Sequence, residues 1–208
     1  MLVETEPWYF EATRQCIAAL GVVLDLDEYL QDMVHGTPAW DRARALGVPE
    51  AEVVAARRQR DALYQQFLQQ QDIEIPGVSA ILSQLAQAHQ MAIVTTAKRA
   101  DFEIIHRRRR IVEHMQFVLA SGDYPRAKPH PDPYLTALDR FGITADEALV
   151  IEDSERGLRA AVAAGIDCVV VDNEFVRGQD FSNARYRIAS LEALPELLAD
   201  INRATIDS

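Results

Sequence analysis

Two adjacent carboxylates, Glu152 and Asp153, close the apolar run at residues 148–151. Oxygen donors in that position suit Mg2+, which keeps several of its waters and commonly bridges to a substrate phosphate. Two hydroxyls, Thr95 and Thr96, close a second apolar run at 91–94, and Lys98 follows at the start of a helical pattern. A hydroxyl and unpaired backbone N–H groups at a strand-to-helix turn bind phosphate oxygens. Lys128 lies in the connection SGDYPRAKPHPDPY after a third apolar run. An ammonium there would offset the charge that a phosphoryl group spreads over its oxygens during transfer. Each group alone has an ordinary reading. Asp153 could cap the following helix, Thr95 could be a turn residue and Lys128 could be plain surface. Taken together, in this order and at successive strand ends, they describe one phosphate-and-magnesium pocket.

The elements that must position these groups follow from the hydrophobic pattern. Residues 7–71 contain no convincing strand. PWYFEATRQCIAAL, LDEYLQDMV and AWDRARAL read as helices, and 49–71 reads as one long helix with Val53, Ala56, Ala62, Leu63 and Phe67 on its apolar side. From Ile73 on, short apolar strands (MAIVTT, QFVLAS, ALVIED, DCVVVDN) alternate with helical segments, and SLEALPELLADI closes the chain. Near-continuous apolar strands alternating with helices indicate an α/β fold, a parallel sheet covered on both faces. In such a sheet the ligand crevice lies beyond the carboxyl ends of the strands. That is where Thr95, Thr96, Glu152 and Asp153 emerge.

Composition narrows the function further. The 208 residues carry a formal net charge of −11, which disfavours nucleic acid as a partner. The single basic run, His106 to Arg110, reads as a solvated helix face, with phosphate or nucleic-acid contact as the alternative. No stretch approaches the roughly 20 apolar residues needed to cross a bilayer, and MLVETEPW lacks the pattern of a signal peptide. A cytoplasmic location is expected. Cys16 and Cys168 are expected to be free thiols. Of the 21 Lys and Arg residues only Lys98 and Lys128 are lysines, and both fall in the segments singled out above.

The segments 92–98 (AIVTTAK), 127–134 (AKPHPDPY) and 150–157 (VIEDSERG) resemble motifs II, III and IV of the haloacid dehalogenase superfamily, in its phosphatase and β-phosphoglucomutase-like branch. The resemblance covers nearly the whole chain. It implies a Rossmann-like core at 73–208, an all-α helical cap at 7–72, and a remnant of the motif I turn and hinge at 1–6. It also assigns roles. Thr95 would hydrogen-bond the transferring phosphoryl group, Lys128 would neutralise charge, and Asp153 would ligate Mg2+ with Glu152 as a direct or water-mediated partner. Thr96 and Lys98 fall where relatives contact substrate. His35, Thr37 and Arg42 lie on what would be the substrate-facing part of the cap, although ordinary surface or packing explains each of them too.

Motif I of that family carries the nucleophilic aspartate and a second, general acid/base aspartate on the first strand, which is central in the sheet. The segment MLVETEP matches only the tail of this motif, so the first strand and both aspartates are expected to be absent from the sequence. A start assigned too late, at a GTG codon, would account for this. The 208-residue chain is then expected to fold poorly or to close the gap between strands, and to lack turnover by the aspartyl-phosphate route. The resemblance implies a Mg2+-dependent phosphomonoester hydrolase acting on a small phosphorylated metabolite, as a monomer or weak homodimer. A sugar-phosphate mutase and a non-catalytic phosphate- or partner-binding remnant stay open. Phosphonatase chemistry is disfavoured because the cap segment has no lysine for a Schiff base.

Overall fold

The computed structural model describes residues 1–206, so the last two residues of the expected core segment lie outside the described residues. The chain divides into two units. One comprises Val3–Glu74 with Arg177–Gln179, and the other comprises Met1–Leu2, Ile75–Val176 and the chain from Asp180 on. Among the described residues no helix is long and apolar enough to cross a membrane.

The first unit is helical: α1 (Glu6–Ala18), α2 (Leu26–His35), α3 (Trp40–Ala45) and α4 (Glu50–Gln70). Local signals set the ends of α2. The Asp25 carboxylate accepts from the Glu28 N–H while the Glu28 carboxylate accepts from the Asp25 N–H, and Gly36 at φ +67° ends the helix in the left-handed conformation. α1 packs on α4 through aromatic pairs, with Trp8 5.6 Å from Phe67 and Tyr9 edge-on to Tyr64 at 5.2 Å. The buried stripe of α4 is Val53, Ala56, Arg60, Tyr64 and Leu68, not the Ala62, Leu63 and Phe67 side that an apolar count selects. The reason is Arg60, whose guanidinium lies 4.4 Å from the centre of the Tyr9 ring and also pairs with Asp61. Stacking on an aromatic face lets a charged side chain occupy a core position.

The second unit carries five strands, β1 (Ala92–Lys98), β2 (Phe117–Ser121), β3 (Leu149–Glu152), β4 (Asp167–Val171) and β5 (Tyr186–Ile188), with helices α5 (Val78–Leu85), α6 (Arg99–His106), α7 (Asp132–Phe141), α8 (Glu155–Ala163) and α9 (Leu194–Ile206). All pairings are parallel, as the continuous apolar strands imply. They form two ladders rather than one: β1 with β2, and β3 with β4 and β5. The break falls between the strands bearing Thr95 and Glu152. β1 and β3 do not pair with each other across it. Leu158, Ala160, Ala161, Cys168 and Val170 form the centre of the core beneath β3 and β4.

The basic run ends α6. Arg107 and Arg108 are exposed, and Arg110 pairs with Glu113. His106 is the exception: its ring stacks on Phe102 at 4.3 Å and its Nδ1 is buried without a hydrogen-bond partner. Burial, aided by the Arg109 charge, pushes its pKa down to about 4. The unfolded chain takes up this proton near the ordinary value of about 6.5. The stabilising contribution is therefore complete above that value and is lost as the pH falls through about 4. Urea midpoints at pH 7.5 and 4.5 should accordingly fall less for His106→Leu than for the parent protein. Equal falls would contradict the assignment.

Candidate active site

β1 does not run straight to its end. Its ladder with β2 pairs Val94 with Leu119 and resumes only at Lys98 with Ser121, so Thr95, Thr96 and Ala97 bulge out of register. A bulge re-aims side chains and releases backbone groups from the ladder. Here the released groups find local partners. The Ala97 N–H donates to Thr95 Oγ1 at 3.1 Å, and the Tyr124 hydroxyl donates to the Thr95 carbonyl at 2.8 Å. The turn leads into the N-terminus of α6 with Lys98 at the capping position; Thr96 and Lys98 are both exposed.

Lys128 spans the break between the two ladders. Its Nζ donates to the Val94 carbonyl of β1 at 2.9 Å and to Glu152 Oε1 of β3 at 2.5 Å. Both partners are buried, Lys128 at 8% exposure and Glu152 at 6%. The next residues along the two strands are Thr95 and Asp153, so the three sequence segments meet at one place.

Glu152 is the hub. Its Oε1 also accepts from the Tyr134 hydroxyl at 2.7 Å, and its Oε2 accepts from the Asp153 N–H at 3.1 Å and from Ser154 Oγ at 3.0 Å. A carboxylate has about four acceptor positions, and here all are engaged. Burial by itself would raise its pKa, but Lys128, Tyr134 and the Asp153 N–H together hold it below the ordinary range. Gly157, in the first turn of α8, makes room for this carboxylate: a Cβ there would lie 1.9 Å from Glu152 Cδ. Ser154 caps the same helix, accepting from the Gly157 N–H at 3.1 Å, so the helix start and the carboxylate are built as one piece.

Asp153 faces the other way. Its side chain is 31% exposed, and Oδ2 accepts from the Met1 ammonium at 2.7 Å. A partly exposed carboxylate with its backbone fixed beside Glu152 could serve as a ligand to a cation. Among the described residues no group of three or more His, Cys, Asp or Glu side chains could hold a metal. Mg2+ here would therefore rely on Asp153, waters and substrate phosphate, a pattern common for that ion. Asn173, beyond β4, donates to the Asp153 carbonyl at 3.4 Å.

The residues His35, Thr37 and Arg42 belong to the helical unit. His35 and Thr37 are exposed at the end of α2, while Arg42 donates to both Asp32 carboxylate oxygens and to Glu28. Sequence reasoning missed Tyr134, Ser154 and Gly157 as parts of the site. A signal existed for the first, since a tyrosine within an apolar helix start that becomes buried needs a partner for its hydroxyl. The Arg156 guanidinium, which donates to the Lys128 carbonyl at 2.7 Å, carried none.

The family model for haloacid dehalogenase-like hydrolases matches residues 1–171. Protein CbbY of Rhodobacter capsulatus is 32% identical over 214 residues, covering 94% of this chain and 94% of that protein. Fructose-1-phosphate phosphatase YqaB of Escherichia coli (strain K12) is 26% identical over 173 residues, covering 82% of this chain and 90% of its own. Among solved structures, CbbY from Rhodobacter sphaeroides in complex with phosphate superposes with a TM-score of 0.76 at 24% identity, covering 93% of this chain and 92% of that one.

Proposed function

Because the chain belongs to the haloacid dehalogenase-like hydrolase family, we propose that its α/β unit is the phosphate- and magnesium-binding site of a phosphomonoester hydrolase for a small sugar-phosphate-type metabolite. The observation that carries this reading is the Lys128 ammonium. It is buried, two of its three donors are committed to Val94 and Glu152, and among the described residues the third has no acceptor. A cation held this way beside a strand end is arranged to meet an anion. Thr95 supplies a hydroxyl on the same strand end, and the N-terminus of α6 supplies backbone donors. Asp153 provides the metal-facing carboxylate, while Glu152 keeps Lys128 in place. Bound Mg2+ would draw charge from the phosphate oxygens. The substrate class follows the sugar phosphate named for the Escherichia coli relative.

Calorimetric titration with inorganic phosphate, with and without Mg2+, tests this. Phosphate should bind more tightly with Mg2+ present. Asp153→Asn should reduce that enhancement tenfold or more, about 1.4 kcal/mol per factor of ten, while leaving the circular dichroism spectrum unchanged. Absence of phosphate binding at millimolar concentration in both conditions would refute the reading, as would an Asp153→Asn protein with an undiminished magnesium effect.

A further inference from the structure

A lysine ammonium is a point charge on a flexible stem with three rotatable donors. Aiming one donor at a ligand requires the other directions to be closed. The Val94 carbonyl and Glu152 Oε1 close two of them. That leaves the third donor open, and the ring of Tyr134 lies against the ammonium, its centroid 4.8 Å from Lys128 Nζ. The same residue's hydroxyl donates to Glu152 Oε1, the oxygen that holds the ammonium, at 2.7 Å. We propose that Tyr134 is a positioning residue for Lys128, gripping its ammonium from two sides: the ring face against the charge, and the hydroxyl on the carboxylate oxygen with which the charge pairs. The assignment rests on the reading that Lys128 meets phosphate.

The position of the ring is set by the fold around it. Tyr134 is buried in the first turn of α7, just after Pro133, so its backbone is fixed by a helix start. Its other neighbours are the apolar residues of the core beneath β3 and β4. Packing alone would be served equally well by phenylalanine. The hydroxyl has Glu152 as its partner, and without it Oε1 is held by Lys128 alone. The carboxylate, still anchored at Oε2 by the Asp153 N–H and Ser154, could then swing and carry the ammonium with it.

The chain's two lysines make the experiment clean, because protein grown on 13C-lysine shows only the Lys98 and Lys128 side chains. In the parent protein the two ε-methylene protons of Lys128 should be inequivalent and shifted by the tyrosine ring. Tyr134→Phe should bring the Lys128 pair together and weaken phosphate binding by about three- to tenfold, the effect of one hydrogen bond. Tyr134→Leu should also abolish the ring shift. Leu138→Ala, which trims the same core, should lower the melting temperature while leaving both the Lys128 signals and phosphate affinity as they were. The proposal is overturned if Tyr134→Phe matches the parent in both readouts, or if Leu138→Ala perturbs them as much as Tyr134→Phe does. Should the parent protein bind no phosphate at all, the phosphatase reading fails on its own, and the Lys128 signals decide the positioning role.

Discussion

Methionine in place of Lys128 is expected to lower the unfolding free energy by about 3–5 kcal/mol, a large share of the roughly 5–15 kcal/mol that holds a domain together. The methylene stem is largely conserved, so the loss is electrostatic. Glu152, at 6% exposure, would be left as a buried carboxylate without its cation. The pH dependence should then change sign. In the parent protein Glu152 is held below the ordinary carboxylate range despite its burial. Its contribution is present above the unfolded value and is lost as the pH falls through the lower folded one. In Lys128→Met burial dominates and raises the folded value, so the variant gains stability as the pH is lowered from neutral. Urea midpoints at pH 8, 6.5 and 5 should show the deficit shrinking steadily. Adding Glu152→Gln should recover at least about 1.5 kcal/mol, because it neutralises the orphaned charge and keeps acceptors for Asp153 and Ser154. A deficit independent of pH, or no recovery in the double variant, would mean that the pair is not what holds this region.

Gly157→Ala should destabilise by about 3 kcal/mol or more, although alanine within a helix normally gains about 1 kcal/mol over glycine. Gly157 has no positive φ to protect. What forbids a side chain is space, since the Cβ would fall 2.1 and 2.2 Å from the two Glu152 oxygens. A glutamate end is usually free to step aside, but this one is tied by four hydrogen bonds, one of them within its ion pair with Lys128, and moving it strands Lys128. Thermal denaturation of Gly157→Ala, Glu152→Ala and the double variant would separate the effects. Because the clash exists only while the carboxylate is present, the double should cost clearly less than the sum of the singles. Additive costs, or a stabilised Gly157→Ala, would remove the argument. The same geometry explains the spacing of the Glu-Asp-Ser-x-x-Gly segment. The strand end and the first helical turn touch at the glutamate and the glycine, with the serine capping between them.

Much of this was legible in the chain before any coordinates. The alternation of apolar strands and helices after Ile73, the helical character of the segment that forms α2, and the order in which Thr95, Lys128 and Asp153 follow the strands are local or periodic properties, and a local property can be read from neighbours in sequence. The bulge at Thr95–Ala97 is different, because it depends on how β1 registers against β2. Arg60 is another such case: an apolar count turns α4 by its hydrophobes, whereas the aromatic rings of Tyr9 and Trp40, far away in sequence, make a charged residue part of the buried face.

The sequence by itself determined which groups are available and that they converge at the carboxyl ends of parallel strands, since composition, period and motif order suffice for that. Only the tertiary structure decided which carboxylate of the Glu152–Asp153 pair turns inward. Consecutive side chains leave a strand on opposite sides, and the choice of side belongs to the packing partners. Lys128, Tyr134 and Gly157, from three other places in the chain, claim the glutamate. The aspartate is left facing outward, at the site proposed for the metal.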